Sequence, residues 1–264
     1  MIADDLRKVR DARPLVLNIT NYVVMNTTAN ALLAVGASPV MAHAIEEVEE
    51  LVDISQALVI NIGTLSAPWV SAMLRAGKRA AARNVPVVLD PVGCGATRYR
   101  TLTAQMLIRE IHPAVVRGNA SEIRSLIRSD QGGKGVDSLH RPEDILDDAR
   151  ALSASAGCVV SVSGAVDVVV QGNRVARIAN GHPMMTKVTG MGCTASAITG
   201  AFVGVCDDPF ESSAHAMVVM GVAGELSAER ASGPGSLQVG FIDALFNLQE
   251  GQLLERMKMD IQQN

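Results

Sequence analysis

The segment ALVINIGTLSAPWVSAMLRAGKRAAARNVPVVL, residues 57–89, decides the fold. Its apolar run at residues 57–62 predicts a buried strand, residues 68–83 follow a helical pattern, and residues 85–89 predict a second strand. Two short apolar strands joined by a helix of this length form a βαβ unit, in which the strands are parallel. Residues 57–89 therefore predict an α/β protein with a parallel sheet.

The same alternation continues on both sides of this unit. Further strands are predicted at residues 15–19, 39–41, 114–116 and 158–162, with a hairpin at one edge of the sheet formed by residues 167–170 and 175–178. Helices are predicted at residues 27–35, 46–55, 104–111, 121–127 and 142–156, and residues 193–259 are mostly helical. The most flexible-looking piece, residues 131–135, is too short to separate domains. We therefore expect residues 1–264 to form a single domain with a mostly parallel central sheet and helices on both faces.

Composition excludes several classes of protein. Hydrophobic residues make up 48% of the chain but aromatic residues only 3%, which suits a core of aliphatic strands and Ala-rich helices. A net charge of −4, spread along the chain, provides no basic face for nucleic acid. The 4 cysteines show no CxxC spacing, which is typical of reduced thiols in the cytoplasm. Neither a signal peptide nor an apolar run of the roughly 18 residues needed for a membrane span is present in the sequence. We therefore expect a cytoplasmic protein without nucleic-acid or membrane partners.

A glycine-rich turn is the strongest functional signal. Thr189-Gly190-Met191-Gly192-Cys193-Thr194 precedes a predicted helix of small residues. Free N–H groups at a helix N-terminus bind anions, and the helix dipole favours negative charge there. This position is also expected to lower the pKa of Cys193, which would then act as a base or as a hydrogen-bonding group. The alternative is a glycine-rich turn before a buried helix, in which Cys193 has no chemical role.

Chemical groups also follow several predicted strands. Asp90 ends one strand and is placed to hold a magnesium ion, although it could instead cap the next turn. Arg117 presents a planar fork for phosphate oxygens. Asn119 is expected to cap the next helix, whose first turn contains Glu122, and a glutamate there can complement the helix dipole without any function. The five histidines show no metal-ligand spacing, and we interpret them as structural or surface residues.

These segments together resemble hydroxyethylthiazole kinase, a thiamin-salvage family of the ribokinase-like superfamily. The resemblance covers nearly the whole chain and includes Ile19-Thr20-Asn21, Gly36-Ala37-Ser38-Pro39-Val40-Met41, Asn61-Ile62-Gly63-Thr64, Leu89-Asp90-Pro91-Val92-Gly93, Arg117-Gly118-Asn119-Ala120-Ser121-Glu122, Lys187-Val188-Thr189-Gly190-Met191-Gly192-Cys193 and Gly233-Pro234-Gly235-Ser236. It implies a single-domain ribokinase-like three-layer α/β/α fold. It also implies transfer of the γ-phosphoryl group of ATP to the hydroxyl of 4-methyl-5-(2-hydroxyethyl)thiazole.

The resemblance further implies roles for individual residues. The matching positions are Met41 and Gly190 for the thiazole substrate, Arg117 and Ser163 for ATP, Asp90 and Glu122 near Mg²⁺, and Cys193 in the place of the aspartate base of ribokinase relatives. The resemblance also implies a homotrimer with active sites at subunit interfaces.

Three positions depart from the family pattern: Ser163 stands where Thr is usual, Ala165 where an acidic residue is common, and Met191 where a smaller residue is usual. None of these changes removes a group that the chemistry requires.

Two rival hypotheses remain at this level. One is a related kinase for another small alcohol, such as a pyrimidine or a sugar, because specificity among similar alcohols depends on few contacts. The other is a non-catalytic sensor that keeps the fold.

Overall fold

The strands lie in one mixed sheet. The computed structural model describes residues 1–127 and 142–263. Its strands are β1 (Leu15–Ile19), β2 (Ser38–Met41), β3 (Ala57–Asn61), β4 (Val87–Asp90), β5 (Val115–Asn119), β6 (Val159–Ser163), β7 (Asp167–Gln171), β8 (Arg174–Ile178) and β9 (Met259–Gln263). Within this described part, the strand order is β2-β1-β3-β4-β5-β6-β7-β8-β9. Strands β1 to β6 are parallel to one another, whereas β7, β8 and β9 continue the sheet in antiparallel fashion.

The helices cover both faces of the sheet. They are α1 (Ile2–Ala12), α2 (Met25–Val35), α3 (Val48–Ile54), α4 (Ala67–Arg83), α5 (Arg98–Ile111), α6 (Ala120–Ile127), α7 (Pro142–Ala156), a 3-10 helix (Pro183–Lys187), α8 (Met191–Val203), α9 (Pro209–Ala228), α10 (Pro234–Asn247) and α11 (Glu250–Arg256). Alternate residues of a strand point to opposite faces. Val59 accordingly packs in the core with α1, α2, α8, α9 and α10, and its neighbour Leu58 packs in a second core with α3 to α7. The structure therefore confirms the three-layer α/β/α architecture.

Three sequence-based expectations need correction. The hairpin formed by β7 and β8 is not at the edge, because β9 pairs with β8 and forms the last strand. The prediction of a mostly helical region up to residue 259 is wrong at its end, because β9 begins there. The side chains of β9 are mainly exposed and give no apolar alternation. Helix α1 was not predicted, although its residues Leu6 and Val9 are fully buried.

Helix boundaries follow local chemistry. Helix α5 begins at Arg98, six residues before the predicted start, because the hydroxyl of Thr97 accepts a hydrogen bond from the N–H of Arg100 and caps the helix. Residues 131–135 lie outside the described residues, and the single-domain interpretation of residues 1–264 stays a prediction. No helix in the described part of the chain is long and apolar enough to cross a membrane.

Candidate active site

The carboxyl ends of the parallel strands carry polar side chains. Asn61, Asp90, Asn119 and Ser163 are the last residues of β3, β4, β5 and β6. Asn61 pairs in register with Asp90, and Asn119 with Ser163. These side chains form a polar rim at the edge where open α/β sheets bind their ligands.

The glycine turn leads into α8 at this rim. Gly190 has φ +84°, and a Cβ at this position would lie 2.7 Å from Cγ1 of Val24, so both the conformation and the space favour glycine. The N–H of Thr194 donates to the carbonyl of Gly190, which starts α8 at Met191. The first N–H groups of a helix have no intrahelical partner. They are available to an anion at this end of α8.

Small residues hold α8 directly against the sheet. A Cβ on Gly200 would lie 2.6 Å from Cγ2 of Val59, so glycine permits the close approach of helix and strand. Residues from Thr194 to Val203 are all buried. The small side chains of the helix therefore pack closely against the sheet, which fixes the position of the turn above the strand ends.

Arg117 lies on β5 beneath this turn and is only 4% exposed. Its Nη1 donates to the carbonyl of Gly192 over 2.9 Å, and Ser196 Oγ lies at 3.5 Å. Its buried Nε has no hydrogen-bond partner among the described residues. Burying a guanidinium N–H without a partner is costly. An anionic ligand would satisfy it.

Asp90 is the centre of a buried hydrogen-bond network. Its Oδ2 accepts from Asn61 Nδ2 and from Ser196 Oγ, both over 2.8 Å. Burial raises the pKa of Asp90 to about 6, against the opposing effects of Arg117, Ser196 and Asn61. Neither hydrogen-bond donor belongs to the turn after β4, so the carboxylate is held by the site rather than used as a turn cap.

Cys193 lies at the other end of this network. Asn21 Nδ2 donates to Asn61 Oδ1 over 2.9 Å and approaches Cys193 Sγ at 3.4 Å. Burial and the neighbouring Asp90 carboxylate raise the pKa of Cys193 to about 11. The expectation that the helix N-terminus lowers this pKa is therefore wrong, because the thiol is desolvated beside a negative charge. Cys193 is a protonated thiol near neutral pH.

Glu122 is a half-buried residue in the first turn of α6. Its Oε1 accepts from the N–H of Gly93 and its Oε2 from the N–H of Asn119, both over 2.8 Å. Asn119 Oδ1 in turn accepts from the N–H of Glu122 over 3.0 Å, which confirms its predicted capping role. Glu122 thus ties the loops after β4 and β5 together, and its charge opposes ionisation of Asp90.

A cavity of about 720 Å³ opens beside the glycine turn. Arg117, Ser163 and Gly190 line it, as do Ala165 and Met191, the two other positions that depart from the family pattern. Asp90, Cys193 and Glu122 do not line this cavity. Met41 lies at the carboxyl end of β2, in register with Asn18, and does not line this cavity.

Sequence reasoning missed two members of the site. Ser196 is the third residue after Cys193, on the same helix, and a hydroxyl in an otherwise apolar stretch was the available signal. His182 is an exposed residue, in agreement with the interpretation of the histidines as structural or surface residues, but it also lines the cavity. That interpretation fits His215, whose Nδ1 lies 2.7 Å from Oδ2 of Asp5 in the interior. His140 lies outside the described residues.

Comparisons with known proteins point to one family. The model of the hydroxyethylthiazole kinase family matches residues 6–251. The chain is 54% identical over 246 residues to a hydroxyethylthiazole kinase of Oleidesulfovibrio alaskensis, covering 93% of this chain and 92% of that protein.

Solved structures agree with this match. The structure of a hydroxyethylthiazole kinase protein from Pyrococcus horikoshii OT3 superposes with a TM-score of 0.93 and 42% identity, covering 99% of both chains. Pyridoxal kinase from Staphylococcus aureus, in complex with AMP-PCP and pyridoxal, superposes with a TM-score of 0.65 over 95% of this chain and 99% of that one. Its 16% identity shows a shared ribokinase-like fold alone. The chain belongs to the hydroxyethylthiazole kinase family.

Proposed function

We propose that this protein transfers the γ-phosphoryl group of ATP to the hydroxyl of 4-methyl-5-(2-hydroxyethyl)thiazole, giving the thiazole phosphate and ADP in thiamin salvage. Membership of the family supports the reaction. The structural observation that carries the proposal is Arg117, a buried cation that lines the cavity with its Nε unpartnered among the described residues.

The phosphate end of the site is built from Arg117 and the start of α8. Phosphoryl transfer depends mainly on positioning and charge stabilisation. The N–H groups at the start of α8 face the charge that develops on the transferred group, and Arg117 is held beside them through Gly192. Ser163, whose Oγ lies 3.4 Å from the carbonyl of Gly118, adds a hydroxyl to the same wall for ATP.

The carboxylates fit a magnesium ion. Mg²⁺ is usually bound by one or two carboxylates together with substrate phosphates and water. Glu122 is close enough to Asp90 for its charge to raise the pKa of Asp90, and among the described residues no group of three or more acidic, histidine or cysteine side chains forms a complete protein cage. We therefore assign Asp90 and Glu122 to Mg²⁺, which would neutralise charge on the phosphates when bound. Both carboxylate oxygens of Glu122 already accept backbone hydrogen bonds, so Glu122 would contact Mg²⁺ or its water ligands through the remaining lone pairs of these oxygens.

The acceptor alcohol is assigned to Met41 and Gly190, the positions that the family resemblance implies for the thiazole, with Cys193 beside its hydroxyl. Cys193 would contact the hydroxyl as a protonated thiol, held by Asn21, rather than act as a thiolate base. A loose transition state allows the hydroxyl proton to leave late, so no strong base is required. The role of Cys193 is then to orient the hydroxyl.

A homotrimer with active sites at subunit interfaces is part of the proposal. The carboxyl end of the sheet carries exposed apolar side chains, among them Tyr22 at 65% and Val23 at 64% exposure. The ring of Tyr22 lies 4.9 Å from that of Trp69. Such a surface suits burial by a second subunit. In solution we expect a mass three times the 27.7 kDa of the chain by light scattering, and a monomer would contradict it.

A cytoplasmic location is likewise proposed. Cys94, Cys158, Cys193 and Cys206 are all free, which suits a reducing compartment.

The test of the proposed function is ADP release by the purified protein with ATP and Mg²⁺. Hydroxyethylthiazole should stimulate release far more than a pyrimidine alcohol or a sugar. Arg117→Met, which keeps a long side chain but removes the charge, should abolish most of the turnover. Release with another alcohol only would replace the substrate by that alcohol. The absence of release with every alcohol would favour the sensor hypothesis.

A further inference from the structure

The cavity has a charged end and an apolar end. Arg117 and Gly192 form the charged end, where the phosphates are assigned. Asp167 belongs to the same region, because the charge of Arg117 opposes the rise in the pKa of Asp167 that burial causes. At the opposite end Met185 of the 3-10 helix Pro183–Lys187 lies against Gly224 of α9. Three methionines line the wall there, namely Met185, Met217 and Met220. A nucleotide with its phosphates at Arg117 would place its base against these methionines.

Backbone N–H groups at this apolar end are already used. The N–H of Gly181 donates to Glu225 Oε1 over 3.0 Å, and that of His182 to Met185 Sδ over 3.5 Å. The N–H of Met184 donates to His182 Nδ1 over 3.2 Å, and that of Met185 to the carbonyl of His182 over 2.9 Å. Pro183 has no N–H to donate. Met217 and Met220 lie inside α9, where backbone N–H groups are bonded within the helix.

Two polar side chains of this end, those of Asn180 and Thr186, are also engaged. Asn180 Nδ2 donates to Glu225 Oε1 over 3.2 Å and to the carbonyl of Arg256 over 2.8 Å, and Asn180 Oδ1 accepts from the N–H of Lys258 over 2.8 Å. Thr186 Oγ1 donates its hydrogen to the carbonyl of Pro183 over 2.8 Å. These groups fix the chain between β8 and the 3-10 helix and are not free to donate to a base edge.

His182 keeps one N–H group. Its Nδ1 accepts a bond from the chain, so Nε2 carries the hydrogen in the neutral ring. A single donor does not identify a base, because every nucleobase has a ring nitrogen or carbonyl that accepts. A hydrogen-bond acceptor at this end, such as a backbone carbonyl, does not identify a base either, because each of the four bases carries an N–H group that can donate to it. Base recognition needs donors and acceptors aimed together, as in bidentate contacts.

We infer that this site holds the nucleobase by apolar contact and discriminates poorly between nucleoside triphosphates, so that GTP, ITP, CTP and UTP also serve as phosphoryl donors. The inference rests on the proposed function and extends it to the co-substrate. Apolar pockets reject similar ligands weakly, whereas a site that hydrogen-bonds a group rejects analogues without it by several powers of ten. Purines bury more surface than pyrimidines, so a moderate preference for the larger base is expected.

The test compares kcat/KM for ATP, ITP, GTP, CTP and UTP at saturating hydroxyethylthiazole. ITP is the sharpest probe, because it replaces the amino group of adenine by a carbonyl and keeps the size of the base. We expect ITP and GTP within about tenfold of ATP, and CTP and UTP lower by up to about thirtyfold. A preference for ATP over ITP of more than about a hundredfold would overturn the inference.

Two variants of His182 test whether its N–H group distinguishes one base from another. His182→Ala removes the ring and the donor, whereas His182→Phe keeps a ring and removes only the donor. Both should change kcat/KM for ATP and ITP by the same factor, within about threefold. A loss confined to one nucleotide would mean that His182 reads the base.

Direct binding keeps this inference separable from the proposed reaction. Calorimetry should give dissociation constants for ADP and IDP within about tenfold of each other, whether or not the thiazole alcohol is phosphorylated. Equal binding without turnover would support base tolerance while refuting the proposed reaction. If neither nucleotide binds, both the inference and the assigned nucleotide site are wrong.

Discussion

Replacing Ser196 by alanine is expected to destabilise the protein in a pH-dependent manner. Ser196 Oγ donates one of the two side-chain hydrogen bonds to the buried carboxylate of Asp90, and Asn61 donates the other. A hydrogen bond to a charged group contributes about 1.5–3 kcal/mol, roughly twice the contribution of a bond between neutral groups. Ser196→Ala should therefore cost most where Asp90 is ionised, and it should move the pKa of Asp90 further upward.

The sign of the pH dependence follows from the raised pKa. The folded pKa of Asp90 is about 6, above the ordinary value of 3.8. Between those two values the folded protein binds more protons than the unfolded chain, so the contribution of Asp90 to stability falls as pH rises through this window. For Asp90 in the wild type this loss is about 3 kcal/mol. In Ser196→Ala the loss is larger and extends to higher pH.

The assay is urea unfolding of the metal-free protein in EDTA at pH 5 and at pH 8.5. We expect Ser196→Ala to lower the free energy of unfolding by about 1 kcal/mol at pH 5 and by about 2–3 kcal/mol at pH 8.5. Thr199→Ala is the matched control, because this buried hydroxyl on the same helix donates only to the carbonyl of Ala195. Its cost should not change with pH. An equal cost for Ser196→Ala at both pH values would refute the role assigned to Ser196.

Three further predictions test separate parts of the site. Arg117→Lys should raise KM for ATP by at least about tenfold in steady-state kinetics, since an ammonium cannot reproduce the planar fork, and an unchanged KM would place the phosphates elsewhere. Gly190→Ala should lower the free energy of unfolding by about 1–3 kcal/mol more than Gly172→Ala. Both glycines have positive φ, but only a Cβ at position 190 would contact a neighbour, Val24. Equal losses in the two variants would exclude that contact. Cys193 should react with iodoacetamide at pH 7.5 much more slowly than a free cysteine, whose pKa is lower, and Cys193→Ala should slow turnover without abolishing it. Fast alkylation would show that Cys193 is a thiolate at this pH, and unchanged turnover of Cys193→Ala would mean that Cys193 has no role in the mechanism.

The parallel part of the fold was predictable because its signals are local. The run at residues 57–62 and the helix after it form a complete βαβ unit within one continuous segment, and β3 and α4 occur there. Strand β9 carries no such signal, since its side chains are mostly exposed and its place is fixed by pairing with β8, more than 80 residues earlier in the sequence. A strand recognised only through a distant partner lies beyond what periodicity can indicate.

The site divides in a similar way. The rim positions of Asp90 and Arg117 follow from the rule that the carboxyl ends of parallel strands share one edge. The pKa of Cys193 does not follow from its helix position, because desolvation and the charge of Asp90 depend on how closely α8 packs on the sheet. The engagement of both oxygens of Glu122 likewise depends on how the loops after β4 and β5 pack together. Sequence spacing locates such groups but does not determine their protonation or their partners.

The most direct test of the proposed function is the transfer of label from ATP to the thiazole alcohol. The purified protein, incubated with [γ-³²P]ATP, Mg²⁺ and hydroxyethylthiazole, should yield labelled thiazole phosphate and unlabelled ADP in equal amounts, and Arg117→Met should yield almost none. Label released only as inorganic phosphate would show ATP hydrolysis without transfer and would contradict the assigned acceptor. No release of label at all would contradict the kinase assignment itself.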